Sequence, residues 1–599
     1  MEQFGVTDIE GSKWKIFLGL GYYDIFNNEY HEFLGANGIQ EFLSFVFSDK
    51  CFQKKIYAHF GGIYDHLFFI DGALRNSKYI IGNMIINGRR VLKIDIKKGK
   101  KKISFVDSSG LFPFSLKRLG IAFDVEHKKL DEDVTLFDKV TPKMRRYMKQ
   151  DCYCLAEALK KYSEQEYIKD IGLSLTRSGQ SFKIYSDYFN DELGNVPDKV
   201  QDFARKALYG GRTEIIKPMF KGKNKKDTLK VYDFTSLYPS VQYENKFPGD
   251  FSHWSTSLDV HNFSISDVLI ECPKNIKLPF LPCKLSGKLY FPVGEFRGVY
   301  TNVELKKALS LGYKVHKVFK TAHFKDAGFV FKEFIDKFFK LRLKNKDNEM
   351  LKIFYKDVMN HLWGRLVMNL ERDTLSFDIK SMGKIHSKFF IDDYEVRTYQ
   401  FTKKIFSDVN VVLGLFVPAY GRIKLYEGAE KLDFDVHYMD TDSLFTRKSI
   451  PKAKDDVLGV LKLEYEMKEF YALQPKAYAG VKIDRKMICK TKGIRYPQDQ
   501  TPLHTGTWTL KDFEASLEGE IKLAKIEQKR GLAGLKTAMK KGEILHVLPD
   551  NLKGINKRDE KRIWKKIDGE ILTFPHEFSY KNDENIIMTL EHNRQLSLF

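Results

Sequence analysis

The sequence predicts an α+β chain in which a smaller N-terminal domain precedes a larger one, and three observations lead there. The chain has 599 residues, more than one hydrophobic core usually spans. Its first part alternates strand-like and helix-like patterns. A looser stretch at residues 163–205 then separates that part from a longer region in which strands, turns and long helices follow one another.

KWKIFLGLGYYD and KKISFVDSSG read as strands, rich in aromatic and β-branched residues. RRYMKQDCYCLAEALKKY, residues 145–162, repeats apolar positions three and four apart and reads as a helix. ALYGGRTE at 207–214 carries the glycine pair of a turn. LKVYDFTSLYPSVQY at 229–243 reads as a strand running into a proline-marked turn, and residues 327–368 as two long helices broken near KNKDNE. FDVHYMDTDSLF reads as strand, tight turn, strand, and the Lys-rich tail from about residue 510 as largely helical.

Hydrophobic residues make up 43% and charged residues 30%, the balance of a soluble globular protein. Lys and Arg number 100 against 79 acids, a formal net charge of +21 spread along the whole chain. Spread positive charge suits a long polyanion such as nucleic acid, although a Lys-rich, AT-biased coding sequence gives the same composition. The six cysteines include no CxxC pair and no His cluster at zinc spacing, which predicts reduced core thiols. MEQFGVTDIEG has no apolar core and is not Arg-rich, so neither a signal nor a transit peptide is expected. No run approaches the roughly 20 apolar residues of a membrane span.

The acids carry the chemistry. Asp440 and Asp442 flank Thr441 at a hairpin tip; carboxylates this close repel and raise each other's pKa unless a cation lies between them. Asp233 ends another apolar strand. Three carboxylates on two adjacent strands could hold two Mg²⁺ ions about 4 Å apart, the arrangement used for phosphoryl transfer; the bland alternative is a solvated turn. A second set lies near the N-terminus. Asp8 and Glu10, two apart on a strand, share one face. Asp65 follows in HFGGIYDHLF, and Tyr147 and Asp151 lie one helical turn apart.

DFTSLYPS followed by YMDTDS resembles the palm motifs of family-B DNA polymerases, and KIFYKDVMNHLWGRL between them resembles the fingers motif. The resemblance assigns Lys352, Lys356 and Arg342 to an incoming triphosphate, and Asn360 and Trp363 to the nascent base pair. Residues 352, 356, 360 and 363 fall on one helix face. It gives Tyr238 the role of excluding a ribose 2′-OH. It assigns DNA or primer contacts to Lys476 and Tyr478 of a Lys-x-Tyr motif, to Gly364, and to Tyr209, Gly210, Gly211 and Arg212 of the glycine element. The resemblance implies a further primer contact by Arg422, in a motif whose usual Thr is here Pro418. The N-terminal acids resemble the three exonuclease motifs of the same family. The resemblance implies metal binding by Asp8, Glu10, Asp65 and Asp151, water orientation by Tyr147 and a phosphate contact by Lys139. Phe60 stands where the family carries Asn; it could stack on a base or belong to the core.

The resemblance implies a ribonuclease H-like 3′→5′ exonuclease domain, residues 1–190, followed by a right-hand polymerase domain, residues 191–599. The palm is expected at 200–260 and 411–500, the fingers at 327–369 and the thumb at about 501–599. Insertions at 261–326 and 370–410 look like those of the protein-primed branch found in small phages, linear plasmids and adenovirus-like elements. Implied partners are template and primer DNA, dNTPs and a terminal protein, without a membrane, for a monomer. The implied cofactors are two divalent ions per site, Mg²⁺ or Mn²⁺. Location is left open: host cytoplasm, or an organelle in which the protein is made. The alternatives are a family-B enzyme using nucleic-acid primers and a non-catalytic DNA-binding replication protein.

Overall fold

In the strand Gly5–Ser12, Ile9 enters an apolar core while Asp8 and Glu10 sit on the other face. This strand lies in a seven-stranded sheet in a computed structural model. The model describes residues 4–49, 51, 53–130, 137–189, 194–369, 372–376, 384–391, 394–401, 409–453, 456–491, 509–519, 522–525, 531–548, 552–555 and 559–588. The sheet order is Glu29–Leu34, Ile16–Asp24, Gly5–Ser12, Lys55–Ala58, Lys101–Asp107, Arg90–Lys98, Ile80–Asn87. The first three strands are antiparallel and the next two continue in parallel, the ribonuclease H-like arrangement. Helices Gly38–Val46 and Asp65–Leu74 fill the Ile9 side with Phe42, Leu43, Leu67 and Phe69.

Helix Pro142–Ser163 covers the opposite side, its first turn capped by Thr141 Oγ1 accepting from the Met144 N–H. Close approach is possible because Gly19 and Gly21 lie under it. A Cβ on either would stand about 3 Å from Met144 or Met148. The register sets these glycines opposite Glu10 and Asp8, so the strand that pairs with the acids leaves space above them.

A second sheet has the order Met487–Lys490, Ala477–Lys482, Leu461–Gln474, Leu229–Phe234, Ser443–Thr446, Val436–Asp440, Thr213–Ile215, with Met219–Lys221 also paired to Leu461–Gln474. The apolar helix Val411–Glu430 packs on it and on helix Leu237–Glu244; Asn410 caps it, accepting from the Leu413 N–H. Gly428 stands against Phe234 and Leu444. Four strands between Phe247 and Gly328 are extended by the tail strands Glu577–Lys581 and Glu584–Ile587 into a six-stranded sheet.

Several local expectations need correction. Residues 163–205 are not loose throughout: Arg177–Tyr188 and Asp198–Arg205 are helices. Their apolar residues form stripes that become legible only against partners, such as helix Glu349–Leu366 on Arg177–Tyr188. The SLYPS segment is a helix from Leu237 with Pro239 in its first turn, where the missing N–H costs nothing. The described tail is mainly hairpins with two short helices, Leu510–Leu517 and Leu535–Met539.

Contacts group the chain into two units: residues 1–190, 341–407 and 528–550, and residues 191–340, 408–527 and 551–599. Most of the fingers segment 327–369, the insertion 370–410 and part of the thumb segment 501–599 thus associate with the first unit, contrary to the linear division. The reason is burial. Phe354, Val358 and Leu362 are buried on helix Glu349–Leu366, and Leu532, Leu535, Met539 and Ile544 join the core under the first sheet. Among the described residues no helix is long and apolar enough to cross a membrane. Leu535→Ala, at a site 1% exposed, is expected to destabilise the first unit by about 3 kcal/mol. Hydrogen exchange should then quicken across residues 38–74 and not across 229–244; unchanged exchange would detach residues 531–548 from that core.

Candidate functional site

The second sheet brings Asp233, Asp440 and Asp442 together. Asp440 ends strand Val436–Asp440, and Ser443 opens the next strand and pairs with both Asp440 and Asp233. Thr441, at the tip, has φ 60°, a left-handed backbone that a β-branched residue adopts only when its surroundings enforce it. Two bonds enforce it. The Thr441 N–H donates to Arg212 O (2.8 Å), and the Phe234 N–H donates to Asp442 O (2.8 Å).

Asp440 Oδ1 lies 2.8 Å from Lys476 Nζ and accepts from Thr213 Oγ1 (3.3 Å); Oδ2 accepts from Tyr438 OH (3.3 Å). Asp442 is held above its ordinary pKa, first by burial and then by Asp440 and Glu464, against the pull of Lys476. Asp233 borders a cleft of 390 Å³ with Thr235, Lys462, Leu463, Glu464 and Tyr465. Glu464 and Lys462 were missed from sequence. The only signal was alternating charge in LKLEYEMKEF, which also marks an ordinary exposed strand.

Tyr238 is seated beside this turn by two glycines. A Cβ at Gly211 would stand 3.1 Å from Tyr238 OH and 2.8 Å from Thr441 Cγ2, and one at Gly421 would stand 2.9 Å from Tyr238 Cε1. Gly210 is exposed with open space around it.

Four residues assigned to DNA by resemblance are buried instead. Arg422, its side chain 1% exposed, donates to Glu304 Oε1 (3.1 and 2.6 Å) and to the carbonyls of Tyr209 (2.7 Å) and Gly210 (2.9 Å). All its arms are used, so it shapes the glycine loop rather than touching a primer. Arg212 is buried against Glu214, and Tyr209 stacks on Tyr300 at 5.7 Å. Tyr478 is buried among Tyr438, Phe445 and Phe470. Lys476 of the same motif stays exposed at the turn.

In the first unit, the Ile9 N–H donates to Asp65 Oδ1 (3.1 Å), tying the helix start to the Asp8–Glu10 strand. Helix Pro142–Ser163 adds Tyr147 and Asp151. Burial, then repulsion from Asp151, pushes Glu10 up to about 8, and burial pushes Asp65 up to about 7. Asp8 is raised by burial and by Asp151, Glu10 and Asp65. Asp8 Oδ2 and Asp151 Oδ1 are buried with no hydrogen-bond partner among the described residues. Orphaned carboxylate oxygens facing like charges fit a divalent cation.

Among the described residues, the lysine that meets these acids is Lys129 rather than Lys139. Lys129 Nζ pairs with Asp151 and lies 4.2 Å from the Tyr147 ring centroid, whereas Lys139 is exposed before the helix. The expectation chose the lysine nearer in sequence. Phe60 is half-buried with φ 57° under the Arg90 guanidinium, 5.0 Å from its ring.

On helix Glu349–Leu366, Lys352 and Lys356 are exposed, and Asn360, Trp363 and Gly364 are half-exposed. The opposite face is buried, and Asp357 pairs with Arg177 (3.3 Å). Arg342 is half-exposed in the last turn of Lys332–Lys344.

The model of DNA polymerase type B, organellar and viral, matches residues 50–138 and 130–413. A probable DNA polymerase of Neurospora intermedia is 24% identical over 515 residues, which cover 72% of this chain and 52% of that protein. The DNA-directed DNA polymerase of Enterobacteria phage PRD1 is 23% identical over 80% of this chain and 84% of its own length. The chain spans about half, or less, of the length of the fungal relatives it matches. The phi29 DNA polymerase in complex with primer-template DNA and incoming nucleotide substrates superposes with a TM-score of 0.71 at 19% identity, covering 93% of this chain and all of that one. That likeness establishes the fold, an exonuclease-type domain with a right-hand polymerase. The match across more than half of the sequence settles the lineage: the chain belongs to the organellar and viral type B DNA polymerases.

Proposed function

We propose that the chain is a template-directed DNA polymerase with a 3′→5′ proofreading exonuclease, starting replication of a linear genome from a terminal-protein primer. The observation that carries the polymerase reading is the pinned turn that presents Asp440 and Asp442 beside Asp233.

Asp233, Asp440 and Asp442 would hold two Mg²⁺ or Mn²⁺ ions at the polymerase site, and Asp8, Glu10, Asp65 and Asp151 another pair. Such ions lower the pKa of an attacking hydroxyl or water and stabilise a leaving oxyanion. Lys476 offsets charge on Asp440 and stays exposed for the primer terminus. Tyr238, backed by Gly211 and Gly421, has no space to retreat, so a 2′-OH against its ring is disfavoured. Lys352, Lys356 and Arg342 supply point charges for a triphosphate, with Asn360 and Trp363 toward the base pair. In the exonuclease site Tyr147 orients the attacking water and Lys129 neutralises Asp151 or a phosphate oxygen. Lys139 has no role in this reading. DNA contacts fall to the backbone of Gly210 and Gly211, to Lys476, to Gly364 and to the ring of Phe60.

Protein priming is supported by the family and by segments built as separate sheets. One supplies the four strands between Phe247 and Gly328 of the six-stranded sheet, and the other is the three-stranded sheet of Arg372–Ser376, Lys384–Ile391 and Tyr394–Phe401. Primer extension with and without a candidate terminal protein tests it. Covalent labelling of that protein by a radioactive dNTP, without any DNA primer, is the expected result; labelling only of DNA primers points to a nucleic-acid-primed enzyme.

Asp442→Ala is expected to abolish primer extension and spare 3′→5′ degradation, and Asp8→Ala to do the reverse; loss of both activities in both variants would refute two separate sites. Lys129→Met should slow degradation about tenfold to a hundredfold while Lys139→Met changes it little, an order that single-turnover digestion would reveal or reverse. Tyr238→Ala should raise ribonucleotide incorporation, measured by competition between rNTP and dNTP; unchanged sugar preference removes Tyr238 from that role.

A further inference from the structure

Arg562 precedes the hairpin Ile563–Ile567 and Glu570–Phe574 and is 4% exposed. Its Nε donates to Thr573 Oγ1 (2.8 Å) and its Nη2 to Thr573 O (3.2 Å), so its own hairpin orients the guanidinium. The remaining arm, Nη1, faces Glu214 Oε1 at 3.6 Å, and neither atom has a hydrogen-bond partner among the described residues. Glu214 Oε2 accepts from Arg212 Nε (2.8 Å) and Nη2 (2.6 Å). Arg212 Nη1 donates to Pro279 O (2.6 Å), and its guanidinium lies 4.1 Å over the Phe291 ring.

This buried chain of charges ends at the catalytic hairpin. The backbone carbonyl of Arg212 accepts the Thr441 N–H (2.8 Å). Thr213, Glu214 and Ile215 pair in register with Asp440, Met439 and Tyr438. A second link runs parallel: Thr573 Oγ1 donates to Ile215 O (2.6 Å). All of these residues belong to the second unit. A buried charge that loses one partner cannot be rescued by water, and its neighbours must shift or admit solvent. Here the neighbour is the carbonyl that holds Thr441 in its left-handed conformation.

We propose that Arg562 is a positioning residue for nucleotide addition, acting through Glu214 and Arg212 to fix the turn that carries Asp440 and Asp442. The tail that supplies it is therefore part of the polymerase site's support. This inference rests on the polymerase reading above.

The test compares wild type, Arg562→Met, Arg562→Lys and Glu214→Gln in the full chain by hydrogen exchange, primer extension and 3′→5′ degradation. For Arg562→Met, amide exchange in residues 438–443 should quicken about fivefold, and that in residues 5–12 should stay unchanged. Extension at saturating dNTP should fall about tenfold and the half-saturating Mg²⁺ should rise, while KM for dNTP and degradation stay within about twofold. Arg562→Lys keeps a charge opposite Glu214 without the fork to Thr573, and should recover most of the extension rate. Glu214→Gln should reproduce the quickened exchange at the turn, and it decides the matter if exchange across residues 563–574 shows that Arg562→Met has melted the hairpin. Wild-type exchange at the turn in both Arg562→Met and Glu214→Gln overturns the proposal. So does equal impairment of the Lys and Met variants, which would make Arg562 only a hairpin anchor. A wild-type protein that extends no primer refutes the polymerase reading, while the exchange comparison still judges the linkage to the turn.

Discussion

One backbone hydrogen bond, from the Thr441 N–H to the Arg212 carbonyl, constrains the rest of the proposed polymerase site. Two carboxylates flanking a single residue repel, and the tip residue is β-branched with a positive φ. Neither condition is favourable alone. The sheet makes them tolerable by pairing both sides of the turn, to Arg212 on one and to Phe234 on the other. Lys476 adds an exposed cation on Asp440. The site is therefore strained where it is rigid and neutralised where it is open, as the proposed binding of cations and a charged substrate would require.

The basic excess divides into two kinds of residue. Arg212, Arg422 and Arg562 are buried, each paired with Glu214 or Glu304; the donors of Arg212 and Arg422 go to carboxylates and carbonyls, and Arg562 bonds the hydroxyl and carbonyl of Thr573 while facing Glu214. Planar guanidinium groups suit this work because several donors act in fixed directions. Lysines such as Lys352, Lys356 and Lys476 remain exposed, where their charge would act at long range on a polyanion. Motif membership alone does not separate the two kinds; Arg422 and Lys476 lie in neighbouring motifs and have opposite fates.

The N-terminal acid cluster is built differently. Asp8 and Glu10 are half-buried on a strand whose neighbour offers glycine at the facing positions, so a helix can close over them with Tyr147 and Asp151. Burial then raises their affinity for protons, and by the same physics for cations. Lys129 reaches Asp151 from a non-helical segment ahead of that helix, 22 residues before its partner.

The sequence by itself determined the α+β class, the two acid constellations and the strand–turn–strand at Asp440 to Asp442, because period-two alternation and short-range turn chemistry are local properties. Phe60, alone in its motif, was legible as a departure from the family's Asn, and its left-handed backbone, a conformation Asn adopts more readily, appeared only in the fold. Tertiary structure decided which lysine meets Asp151, which arginines are buried, that residues 163–205 and the tail take the forms they do, and which segments join which unit. Each of these depends on what a side chain meets across tens to hundreds of residues of chain. Burial and charge pairing are properties of the partner as much as of the residue, and the partner is not written beside it in the sequence.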